Sequence, residues 1–360
     1  MNCFFQKQWR LTILLMVCGL FTMTVIISAK NASREDLQLA ENMLLYQRYT
    51  GGWPKNYNDR LVMTDAARKN LMLEKNQEDS TFDNGATHSE MEHLAETYTS
   101  TGDPRFKDAF FRGLRFMLAA QYENGGWPQT YPNPSGYHAH ITFNDDAMIG
   151  VLRLLKTVAR GEKPYAFVDR VQRNSCLQAV QKGVKCILQC QIKVDGRLTA
   201  WCAQHDSRTF APKKARSYEL PSLSGSESVS IVRFLMEIDK PSPAVIDSIQ
   251  GAVTWFDNAK LTGIKLIKEK DESSPKGWNK IVIKDSTASP LWARFYEIGS
   301  NKPIFCSRDG VPKETLTEIS YERRNGYSWL GNRASSLLAV DYPVWQSKQA
   351  PDNNVLKKAR

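Results

Sequence analysis

Cysteine is scarce in this chain, and strand-like sequence is scarcer. Seven cysteines are spread over 360 residues, and only Cys176, Cys186, Cys190, Cys202 and Cys306 lie beyond residue 29. An odd number at loose spacing excludes a disulfide scaffold. Cys186 and Cys190 share a helix face, but no two further soft ligands stand nearby, so they read as buried thiols and not as a zinc site. The common catalytic signatures are missing as well: there is no G-x-S-x-G elbow, no P-loop and no H-E-x-x-H. The Gly pairs at 51–52 and 125–126 lead into Trp-Pro and read as turns, not as phosphate cradles. The formal charge is +10 and the pI is near 9.2, which favours an anionic partner. No basic run or RNA-binding signature accompanies that charge, so nucleic acid is not expected. A membrane surface or an acidic polysaccharide remains.

The first thirty residues carry a targeting pattern. Lys7 and Arg10 precede the apolar run LTILLMVCGLFTMTVIISA, which ends in the small residues Ser28 and Ala29. This reads as a signal peptide over 1–29, with an uncleaved anchor as the alternative because the run approaches spanning length. The expected location is secreted or periplasmic. A catalytic domain is expected over 30–346 and a flexible tail over 347–360.

What the chain has in quantity is repetition. The stretches LLYQRYTGGWPKN (44–56), LAAQYENGGWPQT (118–130) and LQCQIKVDGRLTAWCAQ (188–204) each run from an apolar helical end through Gln47, Gln121 or Gln191. A Gly-containing turn follows and then Trp53, Trp127 or Trp201. Gly ends helices because it accepts positive φ, and Pro54 and Pro128 prevent continuation. A second helical pattern comes after each turn, as in AMIGVLRLLKTVAR (147–160), where Met148, Val151, Leu152, Leu155 and Val158 recur at helical spacing. Repeated helix pairs of this kind close into a layered all-α body. The expected fold is an all-α-dominated (α/α) toroid of about three helix-pair repeats, with long loops and few strands. KIVIKD (280–285) is the best strand.

Two loops match each other within that frame. TFDNGATH (81–88) and TFNDDAM (142–148) both place Thr-Phe and a cluster of acids and amides before a helix. Helix capping accounts for one carboxylate at such a place, but less well for Asp145 and Asp146 together. Clustered hard oxygens suit calcium, although the spacing is not that of an EF-hand. The polar segment 201–228 suits a cleft-lining loop and carries His205, Asp206, Arg208, Lys213, Lys214, Arg216 and Glu219. Arg308, Asp309, Arg323 and Arg324 join the candidates. Trp53, Trp127, Trp201, Tyr131, Tyr137, Tyr218, Tyr327 and Trp329 lie near turns, where aromatic faces stack on sugars and cations.

GGWPKN, TFDNGATHSEM, GGWPQTYP, YHAHITFNDDAM, AWCAQHDSRTFAPKKARSYELPSLSGSES, FCSRDG and ERRNGYSWLG stand in one order from about Glu41 to Trp345. Together they closely resemble the pectate lyases of polysaccharide lyase family ten. The resemblance implies calcium-assisted β-elimination on polygalacturonate by a toroid with a deep cleft. It implies Arg216, in A-R-x-Y-E, as the catalytic arginine, and Asp83 as the aspartate important for activity and metal-linked binding. Asn84 and Thr87 are expected beside the substrate, as are His205 and Tyr218. Asp145 is expected as the calcium-associated aspartate, with Asp146 next to it. Arg308 and Arg324 are expected on substrate carboxylates. The segment between Ala259 and Ser289, rich in Lys, Asp and Glu, has no place in these motifs.

Two rival readings stay open on the residues. One is an inverting glycoside hydrolase with Asp83 and Asp145 as acid and base; the other is a non-catalytic pectin-binding protein. No protein partner is implied, and a monomer is expected.

Overall fold

The computed structural model describes residues 32–358, so the apolar leader lies outside the described residues. The helices run α1 Arg34–Tyr46, α2 Asp65–Glu74, α3 His88–Thr101, α4 Pro104–Ala119, α5 Ala147–Arg160, α6 Arg170–Cys190, α7 Glu227–Met236 and α8 Pro243–Asn258. After them come α9 Tyr321–Gly326, α10 Ala334–Ser336, a π turn Leu337–Asp341, α11 Tyr342–Gln349 and α12 Val355–Lys358. Helix α3 packs on α4, α5 on α6 and α7 on α8, which makes the (α/α) toroid. Its core is one cluster running from Ala40 to Trp345.

The repeats are held by the residues that mark them in the sequence. The indole N–H of Trp53 donates to Met43 O at 2.8 Å, that of Trp127 to Met117 O at 2.9 Å and that of Trp201 to Ile187 O at 2.7 Å. Each bond ties an aromatic turn to the end of the helix before it. The Gln carboxamides reach further. Gln47 donates to Gly51 O and to Ala109 O on α4; Gln121 donates to Gly125 O and to Ala179 O on α6; Gln191 donates to Thr199 O and to Ser248 O on α8. One side chain thus satisfies a carbonyl of its own turn and one on the next repeat, where an unpaired buried carbonyl would cost about 1–3 kcal/mol. Gly51 (φ +102) and Gly125 (φ +93) lie so close to Arg112 O and Lys182 O that an added Cβ would sit at 2.5 and 2.2 Å from them. Positive φ and backbone contact both demand glycine there.

The C-terminal part keeps a trace of the same unit, because the indole of Trp292 donates to Phe256 O at 2.8 Å. Between the two residues is the segment that the motifs leave unexplained. It is an antiparallel hairpin, Ile264–Lys270 against Trp278–Lys284, in which the expected strand forms one arm. The expected flexible tail is not what its described part forms. Helix α11 runs to Gln349; beyond it Val355 N donates to the Tyr342 hydroxyl at 3.0 Å, Asn353 O accepts from Gln250, and Val355 and Leu356 pack on the core. Apolar side chains at 355–356 give those residues something to bury, which a solvated tail lacks.

Candidate active site at one rim of the toroid

Three equivalent loops lie at one rim, each fixed between its own aromatic turn and the next. Thr81, Thr142 and Ser224 donate their N–H to the carbonyls of Trp53, Trp127 and Trp201. One residue on, Phe82, Phe143 and Gly225 donate to the carbonyls of Gln129, Ala203 and Arg294, each two residues past the next repeat's tryptophan. The loops lead into α3, α5 and α7.

These helix starts differ from those of the other helices up to α8. Helices α1, α2, α4, α6 and α8 are capped by the side chains of Ser33, Thr64, Asp103, Asp169 and Ser242. Thr87, Asp146 and Ser226, at the starts of α3, α5 and α7, make no capping bond. The acids of these loops are therefore not spent as caps, and the helix dipoles leave the rim favourable to anions. The backbone is strained at the same places, with positive φ at Asn84 (54°), Thr87 (72°), Asp145 (49°) and Asp146 (59°). Such conformations cost about 1–3 kcal/mol each and cluster at ligand sites.

Asp83 is buried and ion-paired with the half-exposed Lys55 ammonium through Oδ2. Its Oδ1 is buried and has no hydrogen-bond partner among the described residues. Asn84 is exposed beside it. On the second loop, Asp145 and Asp146 are exposed, and Asn144 Nδ2 donates to Asp145 Oδ2 at 2.6 Å. Arg294 reaches across from the C-terminal unit, two residues after Trp292. Its Nη2 donates to Asn144 Oδ1 at 3.0 Å, lies 3.4 Å from Asp145 Oδ1 and pairs with buried Glu227. Among the described residues no three of His, Cys, Asp and Glu converge as a ready-made metal cage. The unpartnered Asp83 oxygen and the exposed carboxylates suit a hard cation whose remaining ligands come from water and substrate, since calcium takes six to eight oxygens.

A cationic strip adjoins this acidic patch. The Arg294 guanidinium lies 4.7 Å from the Tyr327 ring centre. The Tyr327 hydroxyl donates to Glu219 Oε1 at 2.6 Å, and Glu219 grips Arg216, with Nε to Oε2 at 2.8 Å. Arg216, Arg308 and Arg323 surround the buried Tyr218 ring at 5.2, 5.8 and 4.6 Å. Glu322 binds both Arg308 and Arg323, and these cations draw its carboxyl down to about 2. The hydrogen bond that Arg216 gives to Glu219 raises its pKa above its already high value, although partial burial opposes this.

Four expected contacts come out differently, the first being Tyr218, which is buried and backs the arginines. Arg324 turns away from the strip: its Nε donates to Asn279 Oδ1 at 3.0 Å and its Nη1 to Thr317 O at 2.9 Å. Its neighbour Arg323 faces Tyr218 instead. Thr87 is fully buried, with Oγ1 donating to Thr81 O at 2.8 Å and accepting from Trp53 N at 3.1 Å, so it braces the loop and is closed to substrate. His205 is also fully buried. Its Nδ1 is 2.7 Å from Phe210 O, its Nε2 accepts from Cys202 N, and burial pushes its pKa down to about 4. It holds the 202–210 loop as a neutral ring. Asp206 turns aside to cap the same loop at Arg208 N and Thr209 N.

Sequence reasoning missed Lys55, Glu227 and Arg294. Arg294 had a usable signal: it stands two residues after Trp292, the register of Gln129 after Trp127 and Ala203 after Trp201.

Residues 47–338 match the family model described as pectic acid lyase. A solved structure of an aspartate-to-alanine mutant of a family 10 polysaccharide lyase from Cellvibrio cellulosa, in complex with trigalacturonic acid, is 36% identical, with a TM-score of 0.75. The match covers 87% of this chain and 92% of that one. A family 10 polysaccharide lyase structure from the same organism is 37% identical, with a TM-score of 0.74, over 85% and 91% of the two chains. The search of curated proteins returned no match. This chain belongs to the pectic acid lyase family and is a polysaccharide lyase of family 10.

Proposed function

We propose that the protein cleaves polygalacturonate by calcium-assisted β-elimination and leaves an unsaturated uronate at the new non-reducing end. The observation that carries this reading is the single rim on which exposed and unsatisfied carboxylates, at Asp83, Asp145 and Asp146, meet guanidiniums at Arg216, Arg294, Arg308 and Arg323. The trigalacturonic acid bound by the Cellvibrio relative supports the substrate class.

β-Elimination removes the C5 proton beside the carboxylate. The C5–H electron pair becomes the C4–C5 double bond, and the C4–O bond breaks with its electrons on oxygen, which takes a proton from water. Charge spreads onto the carboxylate as the proton leaves, so fixed cations at the carboxylate lower the barrier. Arg308 and Arg323 are placed for this, and their shared Glu322 and the Tyr218 ring hold them in position. Asp83, Asp145 and Asp146 would hold calcium, which when bound supplies positive charge that acidifies C5.

Arg216 takes the proton. A charged guanidinium is no base, and Glu219 keeps it charged here. Glu219 already has a second partner in the Tyr327 hydroxyl. When substrate draws Arg216 off Glu219 into a desolvated cleft crowded with cations, the neutral form becomes accessible. Activity therefore rises toward alkaline pH.

Hydrolysis by an Asp83–Asp145 pair is the weaker reading for a lyase family member, because one oxygen of Asp83 is already taken up in an ion pair with Lys55. The leader pattern at Lys7, Arg10 and the apolar run supports action outside the cytoplasm. The test is ultraviolet absorbance on polygalacturonate at alkaline pH, with calcium and then with chelator. A rise that the chelator abolishes is expected. New reducing ends without absorbance would sink the elimination.

A further inference from the structure

The hairpin Ile264–Lys270/Trp278–Lys284 carries on one face Ile264, Leu266, Lys268 and Lys270, opposite Lys284, Val282, Lys280 and Trp278 in turn. Near the base, Leu266 and Val282 pack on the apolar core. Further out, that face becomes cationic and aromatic. Lys268 stands directly across from Lys280, a like-charge pairing that destabilises a hairpin unless something offsets it. The Lys268 ammonium lies 3.9 Å from the centre of the Trp278 ring, and Lys276 lies 6.0 Å from it.

Two other lysines of the hairpin have acidic partners: Lys265 faces Asp285 and Lys270 pairs with Glu272, while Lys284 at its base forms no ion pair among the described residues. Among the described residues Lys268, Lys276 and Lys280 form no ion pair. The Lys280 ammonium donates to Tyr327 O at 3.3 Å, and Tyr327 is the residue whose ring and hydroxyl join Arg294 to Glu219. The outer strand is fastened to α9, which carries Arg323. The Tyr321 hydroxyl donates to Trp278 O at 2.6 Å, and Asn325 Oδ1 accepts from Lys280 N at 2.8 Å. The cationic face is thus held rigidly at the edge of the arginine strip.

We infer that Lys268, Lys276, Lys280 and Trp278 form a further subsite for a polyuronate chain, extending the cleft beyond the residues that do the chemistry. The lysines meet carboxylates of sugars past the scissile bond, and the free part of the Trp278 face stacks on a ring. A polyanion with regularly spaced charges relieves the Lys268–Lys280 repulsion, which no acidic group among the described residues does and which the Trp278 ring offsets only at Lys268. The substrate class in this inference rests on the function proposed above.

The test compares the full enzyme with K268Q/K276Q in two assays. The first is kcat/KM on polygalacturonate and on trigalacturonate, followed by ultraviolet absorbance. The polymer-to-trimer ratio is expected to fall about three- to tenfold, through KM. An unchanged ratio overturns the subsite. The second assay is electrophoretic retention in gels containing polygalacturonate or a neutral galactan. The wild type is expected to be retarded by the acidic polymer alone, and the variant less so. Equal retardation of the two proteins overturns the subsite, as does a variant that loses binding only to phosphatidylglycerol vesicles, which would assign the patch to a membrane surface. Should the wild type form no unsaturated product, the lyase chemistry fails by itself, and reduced retardation of the variant still supports the subsite.

Discussion

Arg216 and Glu219 form a two-point pair. Nε and Nη2 of the arginine each face one carboxylate oxygen, and Arg216 N also donates to Oε2 at 3.1 Å. The arginine is partly exposed, the glutamate is buried, and the pair fixes the guanidinium in its charged form. Glu219→Gln is expected to lower the Arg216 pKa, because the group that raises it is gone. The acid limb of kcat/KM should move to lower pH, read from pH profiles of both proteins. A limb that stays in place would remove Arg216 from the proton transfer. Arg216→Lys should lose about 100-fold or more in kcat, in the range of acid–base contributions.

Arg323 and Arg324 give a second, paired prediction. Arg323→Ala removes a cation from the Tyr218 cluster and is expected to cost ten- to a hundredfold in kcat/KM, about 1.4–2.7 kcal/mol. Arg324→Ala breaks bonds to Asn279, Thr317 and Ile319 and is expected to lower the melting temperature by a few degrees with kcat nearly intact. The opposite pattern in kinetics and melting would show that the two arginines have been assigned the wrong way round.

Lys55 is the only cation paired with Asp83 among the described ion pairs. In Lys55→Met the buried carboxylate loses its counter-charge, and the protein should melt several degrees lower in chelator. Calcium should restore more stability to this variant than to the wild type, since binding to the folded state stabilises by about 2.7 kcal/mol at a hundredfold excess over Kd. Equal calcium shifts in the two proteins would place the ion away from Asp83.

Glu90 makes stability depend on pH. Burial pushes its carboxyl up to about 7, against a hydrogen bond from the Tyr57 hydroxyl at 2.8 Å. A folded pKa above the unfolded one means that the folded state holds the proton more tightly. The contribution is full below about pH 4.3, the unfolded value, and is lost as pH rises through 7. Glu90→Gln should flatten this part of the profile. Thermal midpoints at pH 5 and pH 8 that fall equally in both proteins would refute it.

Much of the architecture was legible because its signals are local. Helical periodicity in α5, the Gly-Gly-Trp-Pro turns and the Gln–Trp spacing each lie within a dozen residues. The rim loops were legible for the same reason. The distinction between Arg323 and Arg324 was not, since it depends on how α9 lies against the hairpin, and Asn279 decides that from 45 residues away. Thr87 and His205 sit in the right segments, but their roles depend on burial, which a polar residue does not announce. Trp278 and its lysines read as a charged insert until strand pairing put them on one face.

The glutamine bonds between repeats bear on how the molecule comes apart. Each of Gln47, Gln121 and Gln191 belongs to two repeats at once, with one acceptor carbonyl in each. Opening any repeat strands a polar group in its neighbour, so partial unfolding is penalised on both sides of the break. Arrays of stacked helices often fray from their ends; this ring has no repeat that can leave without cost to the next. Its loops are free to diverge at the rim, as Asp83-Asn84 in one and Asn144-Asp145-Asp146 in the next show, while the linked repeats beneath them are expected to melt as a single unit.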